Sequence, residues 1–202
     1  MNPGHPLLLK CPFCGKEKEV LTLLSGNTFR GQQWSDWRRK FPMLPEVSSI
    51  QKCPSCGMYY FTDEVERRQA TEGYSFETGE LTYEELREAA GQFGGTLSLE
   101  EWHILEVLLV WAYNDKYNRE DMETTEAPKE EQEYINSVLD NLIVLSQTDV
   151  TKAEYLRERG RFEDALAILN KCHQEGDFFV SLVKKMKSYA KAHSKIAFKI
   201  EL

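Results

Sequence analysis

The chain has 202 residues, with 25 Lys and Arg against 33 Asp and Glu and a formal net charge of −8. That length holds one large or two small domains, and the acidic balance excludes a protein whose whole surface binds nucleic acid. No apolar run has the length of a membrane span and no secretory leader opens the chain, so a cytoplasmic protein with no membrane contact is expected. The charge is uneven, however. Residues 1–60 hold eight Lys and Arg and only four Asp and Glu, so the N-terminal part is basic.

In chain order, residues 1–6 read as an irregular start. Leu7-Leu8-Leu9 then leads into Cys11-Pro-Phe-Cys14-Gly15, and a second copy of the pattern stands at Cys53-Pro-Ser-Cys56-Gly57. Two residues between paired cysteines let both sulfurs reach one ion from a tight turn. The Pro after each first Cys fixes φ, and the Gly after each second Cys can take φ > 0. Strand-like residues flank both turns: Val20 to Leu23 after the first, Ser48 to Lys52 before the second and Met58 to Phe61 after it. Each turn is therefore expected at the tip of a β-hairpin. Cys11, Cys14, Cys53 and Cys56 are read as the four ligands of one structural zinc ion. A four-thiolate iron site uses the same spacing. A disulfide framework or a redox Cys-x-x-Cys fits less well, because the chain has no secretory leader and no βαβ context.

The CPxCG pattern, matched twice, resembles a zinc ribbon, although the insert between Cys14 and Cys53 is longer than ribbons carry. Within that insert lies Trp34-Ser-Asp-Trp37-Arg38-Arg39-Lys40. One reading makes Trp34, Trp37, Arg38, Arg39 and Lys40 a recognition surface for protein or nucleic acid, with aromatics to stack and cations to pair. The reading preferred from sequence packs the tryptophans over the ribbon, since small metal domains lack core.

After Phe61 the pattern turns helical. Asp63 to Gln69 reads as a short helix and Glu72 to Glu80 as a connection. This places a zinc-ribbon domain at residues 1–70 and a helical domain at 80–202. Thr82-x-x-Glu85 is a capping box opening a helix to about Gln92, closed by Gly94-Gly95. Ser98-x-x-Glu101 opens the next helix, apolar on most faces from Trp102 to Tyr113 and therefore central. Tyr113 to Tyr117, at its end, is the place an enzyme site would occupy. Glu120 to Glu133 reads as a solvated linker and helix start. Residues 129–146 carry one clean apolar stripe through Ile135, Val138, Leu139 and Leu142.

Thr151-x-x-Glu154 is expected to cap the following helix. The stretch from Ala153 through Gly160, Phe162 and Ala165 resembles one tetratricopeptide repeat, with Gly for the turn and Ala for close helix approach. A second copy is missing, so one repeat-like hairpin inside a bundle is expected. The last helix places Phe178, Phe179, Leu182, Val183, Met186 and Tyr189 on its core side and lysines on the other. From Phe198 onward apolar and polar residues alternate like a strand, and residues 195–202 are expected to pair with the ribbon edge.

The fold class expected is thus α+β, a small zinc-ribbon β domain followed by a helical bundle. The combination resembles uncharacterised bacterial proteins that join an N-terminal CPxCG zinc ribbon to a tetratricopeptide-like helical region, and that resemblance implies no reaction. No Walker loop, GxGxxG, HExxH or GxSxG occurs. His5, His103, His173 and His193 are scattered, and the neighbours Cys172 and His173 point apart on a helix. The expectation is a non-catalytic zinc protein that contacts an unknown protein partner. The alternatives are a nucleic-acid-binding ribbon using Trp34 to Lys40 and an enzyme with its site near Tyr113–Tyr117. No small-molecule substrate is evident from the sequence.

Overall fold

The computed structural model describes residues 1–120, 126–172 and 176–200. Its strands are β1 Asn2–Pro3, β2 Leu7–Lys10, β3 Glu17–Val20, β4 Leu23–Ser25, β5 Gln32–Trp34, β6 Arg39–Lys40, β7 Ile50–Lys52, β8 Tyr59–Phe61, β9 Arg67–Gln69 and β10 Lys199–Ile200. Its helices are α1 Tyr83–Phe93, α2 Leu99–Tyr117, α3 Lys129–Leu145, α4 Asp149–Arg159, α5 Phe162–Leu169 and α6 Asp177–Lys191. The class is mixed, with most strands early and a helical C-terminal part. No helix among the described residues is long and apolar enough to cross a membrane.

Two compact units form, residues 1–31 with 40–98, and residues 32–39 with 99–202. The division differs from the expected 1–70 and 80–202 at two places. Helix α1 belongs to the first unit, and the tryptophan-bearing part of the insert, residues 32–39, belongs to the second.

In the first unit β2 pairs antiparallel with β3 on one side and β9 on the other, while β7 pairs with β8. The helix expected to run to Gln69 is not formed. Residues 67–69 extend because β2 needs a second neighbour, and only a short 3-10 turn, Thr62–Glu64, precedes them. The irregular start is also partly ordered, with β1 pairing β4. Helix α1 starts at the predicted capping box: Thr82 accepts from the Glu85 N–H and Glu85 accepts from the Thr82 N–H. Its polar face meets the rim of β8. Gln92 accepts from the Tyr59 N–H at 2.8 Å and donates to the Tyr59 carbonyl at 2.9 Å, so an amide side chain satisfies an open strand edge. The Tyr59 hydroxyl donates to Glu88 at 2.6 Å, and Phe61 and Phe93 pack with ring centroids 5.4 Å apart.

In the second unit, consecutive helices from α2 to α6 pack against one another. Val150, Ala153, Leu169, Leu182, Val183, Met186 and Phe198 form a core cluster, with Trp37 packed on it. Central helix α2 buries Leu105, Leu109, Val110 and Tyr113, but also Glu106 and Asn114. His103 on this helix is exposed. Helix α4 is capped by Thr148, whose hydroxyl accepts from the Thr151 N–H, and not by the predicted Thr151. The predicted partner Glu154 is fully buried and bonded to Arg157. Gly160 ends α4 at φ 87°, and the α4–α5 hairpin closes over Ala153 and Ala165, both without exposed surface.

Two further expectations change. Strand β10 does not pair with the first unit; Lys199 and Ile200 pair antiparallel with Trp34 and Gln33 of the insert. Glu201 and Leu202 lie outside the described residues, as do Asp121 to Thr125 of the acidic linker and His173 beside Cys172. Phe178 and Phe179, read as core, are exposed at the start of α6, where only Leu182, Val183, Met186 and Ala190 are buried.

Candidate metal centre

Both Cys-x-x-Cys turns close in the same way. The Gly15 N–H donates to the Cys11 carbonyl at 2.9 Å and the Cys11 N–H to the Lys16 carbonyl at 2.8 Å. In the second turn, Gly57 donates to Cys53 and Cys53 to Met58, both at 2.9 Å. Gly15 and Gly57 stand at φ 72° and 74°, the left-handed conformation that each turn needs to rejoin its second strand. The first turn is the tip of the β2–β3 hairpin and the second is the tip of β7–β8.

The two tips converge. The four sulfurs of Cys11, Cys14, Cys53 and Cys56 lie within 4.8 Å of one another. Across the site, Cys11 Sγ is 3.7 Å from Cys56 Sγ, and Cys14 Sγ is 3.6 Å from Cys53 Sγ. Four thiolates held about 2.3 Å from one tetrahedral ion would stand about 3.8 Å apart, so the donor set fits a metal ion without rearrangement. Cys11 and Cys53 are buried and Cys14 and Cys56 exposed, which puts the site half inside the unit. Leu9, Val20 and Tyr60 pack on the two buried cysteines, so the core of the hairpins is built onto the site.

Without an ion the thiols are unequal: the Met58 N–H lowers Cys56, but burial and the sulfurs of Cys53, Cys14 and Cys11 push it up to about 12. Burial alone would raise the Cys53 thiol, but N–H groups of Cys56 and Ser55 donate to its sulfur and bring it down to about 7. Burial and the negative sulfurs of all four cysteines push the Tyr60 hydroxyl up to about 12.

The other predicted residues fall elsewhere. Trp34 is buried in the second unit with the Arg119 guanidinium 4.7 Å over its ring, and Trp37 packs on the helical core, not over the hairpins. Arg38 lies 5.1 Å over the Trp111 ring and 3.8 Å from Asp115. Only Arg39 and Lys40 of that stretch are exposed. The buried part of the insert serves a polar network instead. Asp36, with no exposed surface, binds Arg119 at 2.8 Å and Asn114 at 2.9 Å. Glu154, Arg157 and Glu158 of α4 are also buried. Sequence reading missed Asp36, Arg119 and Glu158. Asp36 lies between β5 and β6 and Arg119 just beyond α2, and nothing in the local pattern marks either of them or Glu158 as buried.

Near Tyr113–Tyr117 the helical core is not filled. A cavity of about 330 Å³ is lined by Tyr113, Asn114, Tyr117, Ile135, Leu139 and Glu158, among others. Burial, then the carboxylates of Glu154 and Asp36, hold the Glu158 carboxyl well above the usual range, against the opposing pull of Arg157 and Asn114.

No family model matches this chain, and no curated protein and no solved structure is similar enough to count as a match.

Proposed function

We propose that the protein is a non-catalytic zinc-binding interaction module, with a structural ion in a zinc-ribbon-like first unit and a protein partner for its helical unit. The closed set of four thiol sulfurs carries this reading. When bound, zinc would take one thiolate from each of Cys11, Cys14, Cys53 and Cys56, leaving no position for water or substrate. Its binding free energy then goes into folding a unit whose core is small.

For the partner, support comes from the start of α6. Phe178, Phe179 and Val180 are exposed, beside a groove of about 510 Å³ lined by Val183, Lys184, Lys187 and Lys191. Apolar surface rimmed by cations fits a protein segment carrying apolar and acidic groups. A photo-crosslinker placed at Val180 tests this. A discrete adduct should form with the wild-type chain and be lost in K184E/K187E; adduct formation that ignores the charge reversal contradicts the reading.

The nucleic-acid alternative loses support, because burial of Trp34 and the contact of Arg38 with Trp111 take up two of the groups it relied on and leave Arg39 and Lys40 as its exposed cations. The enzyme alternative has one observation in its favour, the cavity beside Tyr113 and Tyr117 with Glu158 in its wall. A single carboxyl with no second reactive group placed against it supports binding before reaction.

A further inference from the structure

Helix α6 carries a second stripe besides the one it buries. Leu182, Val183, Met186 and Ala190 are its buried side chains. Val180, Lys184, Lys187 and Lys191 follow one another at steps of four, three and four residues, so they share one line along the helix. All four line the groove of about 510 Å³, and half-buried Cys172, beyond the end of α5, stands in its wall.

The line is graded along its length. At its start Phe178, Phe179 and Val180 are exposed, and the two rings meet edge to face with centroids 5.2 Å apart. From Lys184 onward it is cationic. Lys185, off the line, is taken up by Glu120 and by the Lys199 carbonyl. Lys184, Lys187 and Lys191 make no ion pair among the described residues, and no described carboxyl lines the groove. From Val180 to Lys191 the line runs about 16 Å, at a rise of roughly 1.5 Å per residue.

We propose that this groove takes an amphipathic helix of a partner protein, lying antiparallel to α6, with acidic side chains in its first turns and apolar ones after them. The inference rests on the reading of this groove as a protein-binding site and names its occupant. The order of the line sets which end goes where. An acidic start lies against Lys191, Lys187 and Lys184, and an apolar continuation reaches Val183, Val180 and the Phe178–Phe179 pair. Acids stabilise the first turns of the helix that carries them, so the pattern that matches the lysines also starts a helix well. In the antiparallel arrangement the partner's positive end meets the negative end of α6, and the two dipoles favour the same orientation. A parallel helix would need its acids in its own last turns, where they destabilise it. The lysine spacing asks for acids at i, i+4 and i+7 and an apolar residue at i+11, one face of a helix. An anionic membrane fits less well, because the lysines line a groove and the chain carries a net charge of −8.

Fluorescence anisotropy of the full-length protein with three labelled peptides tests this. Each is about fifteen residues long, acetylated and amidated at its ends. The first has Glu at its second, sixth and ninth positions and Leu at its tenth and thirteenth, on an alanine and glutamine background. The second is the same sequence reversed, and the third replaces each Glu by Gln. The first should bind saturably and at least roughly tenfold more tightly than the other two. K184Q/K187Q/K191Q should reduce its binding to the level of the third peptide. A benzoylphenylalanine in place of Val180 should crosslink the first peptide in its C-terminal half. Equal or tighter binding of the reversed or the uncharged peptide, crosslinks in the N-terminal half, or no saturable binding of any peptide overturns the proposal. The reading of the groove as a protein-binding site falls with it only if the discrete Val180 photo-adduct also fails to form, or if phosphatidylserine vesicles bind more tightly than every peptide. The peptide comparisons use the wild-type chain and do not depend on a variant folding.

Discussion

The Asn114 amide nitrogen donates to Glu158 Oε2 at 3.0 Å, at the point where the central helix α2 meets α4. The same nitrogen also donates to Asp36 Oδ2 at 2.9 Å, so one amide spans two carboxyls. Asp36 has Arg119 to balance it, whereas Glu158 has no guanidinium closer than 3.9 Å.

That asymmetry predicts how stability follows pH. The folded protein holds the Glu158 carboxyl well above the ordinary value of 4.5, chiefly through burial. An acid raised in this way contributes stability that is complete below its unfolded pKa and is lost as pH rises toward the folded value. Gln keeps the neutral shape and does not titrate. The stability of E158Q relative to wild type should therefore increase as pH rises from about 4 to about 8. Urea melts across that range check it, and a pH-independent difference contradicts it.

Asp36 is the insert's electrostatic anchor in the second unit. Truncation in D36A leaves Arg119 buried with Asp115 as its remaining carboxylate, with an expected loss of about 3 kcal/mol or less. The double variant D36A/R119M should recover most of that loss, because it removes both charges together. Equilibrium unfolding of D36A, R119M and the double variant measures the coupling directly.

The same geometry bears on fragments. A chain of residues 80–202 lacks Asp36, Trp34 and the β5 partner of Lys199 and Ile200. It should give a broad, weakly cooperative melt, whereas a second unit supplied with residues 32–39 through a linker should melt sharply. Calorimetry separates the two outcomes.

Gly160 closes α4 at φ 87°, and an added Cβ there would lie 2.8 Å from Lys195 Cε. G160A should cost about 1–2 kcal/mol from the left-handed backbone alone. Lys195 can swing away, so G160A/K195A should regain little, and comparing the two melts tests whether backbone strain dominates.

How much could be read from the sequence follows how local each feature is. The two knuckles were legible because spacing of Cys, Pro and Gly within five residues already determines the turn, and their convergence needed only one ion. Helices α1 to α6 were legible from apolar spacing, and the Thr82 capping box acts within one turn. The side of α1 that packs was not legible: Gln92 bridging Tyr59 is a contact between residues 33 positions apart. Trp34 and Trp37 were assigned to the wrong unit for the same reason, because the groups that enclose them, Arg119 and Phe198 among them, lie far along the chain. Thr148 and Thr151 can both cap a helix by residue type, and burial of Glu154 beside Arg157 decides between them. Glu158 looked like any surface acid of a helix, since nothing local records that Asn114 and a cavity stand against it.

The central claim is the metal centre, and metal content with X-ray absorption on the purified full-length protein tests it most directly. The account predicts one equivalent of zinc, four sulfur neighbours at about 2.3 Å, and loss of the first unit's cooperative unfolding when a chelator removes the ion. Metal-free protein of unchanged stability, or cysteines recovered as disulfides, would contradict it.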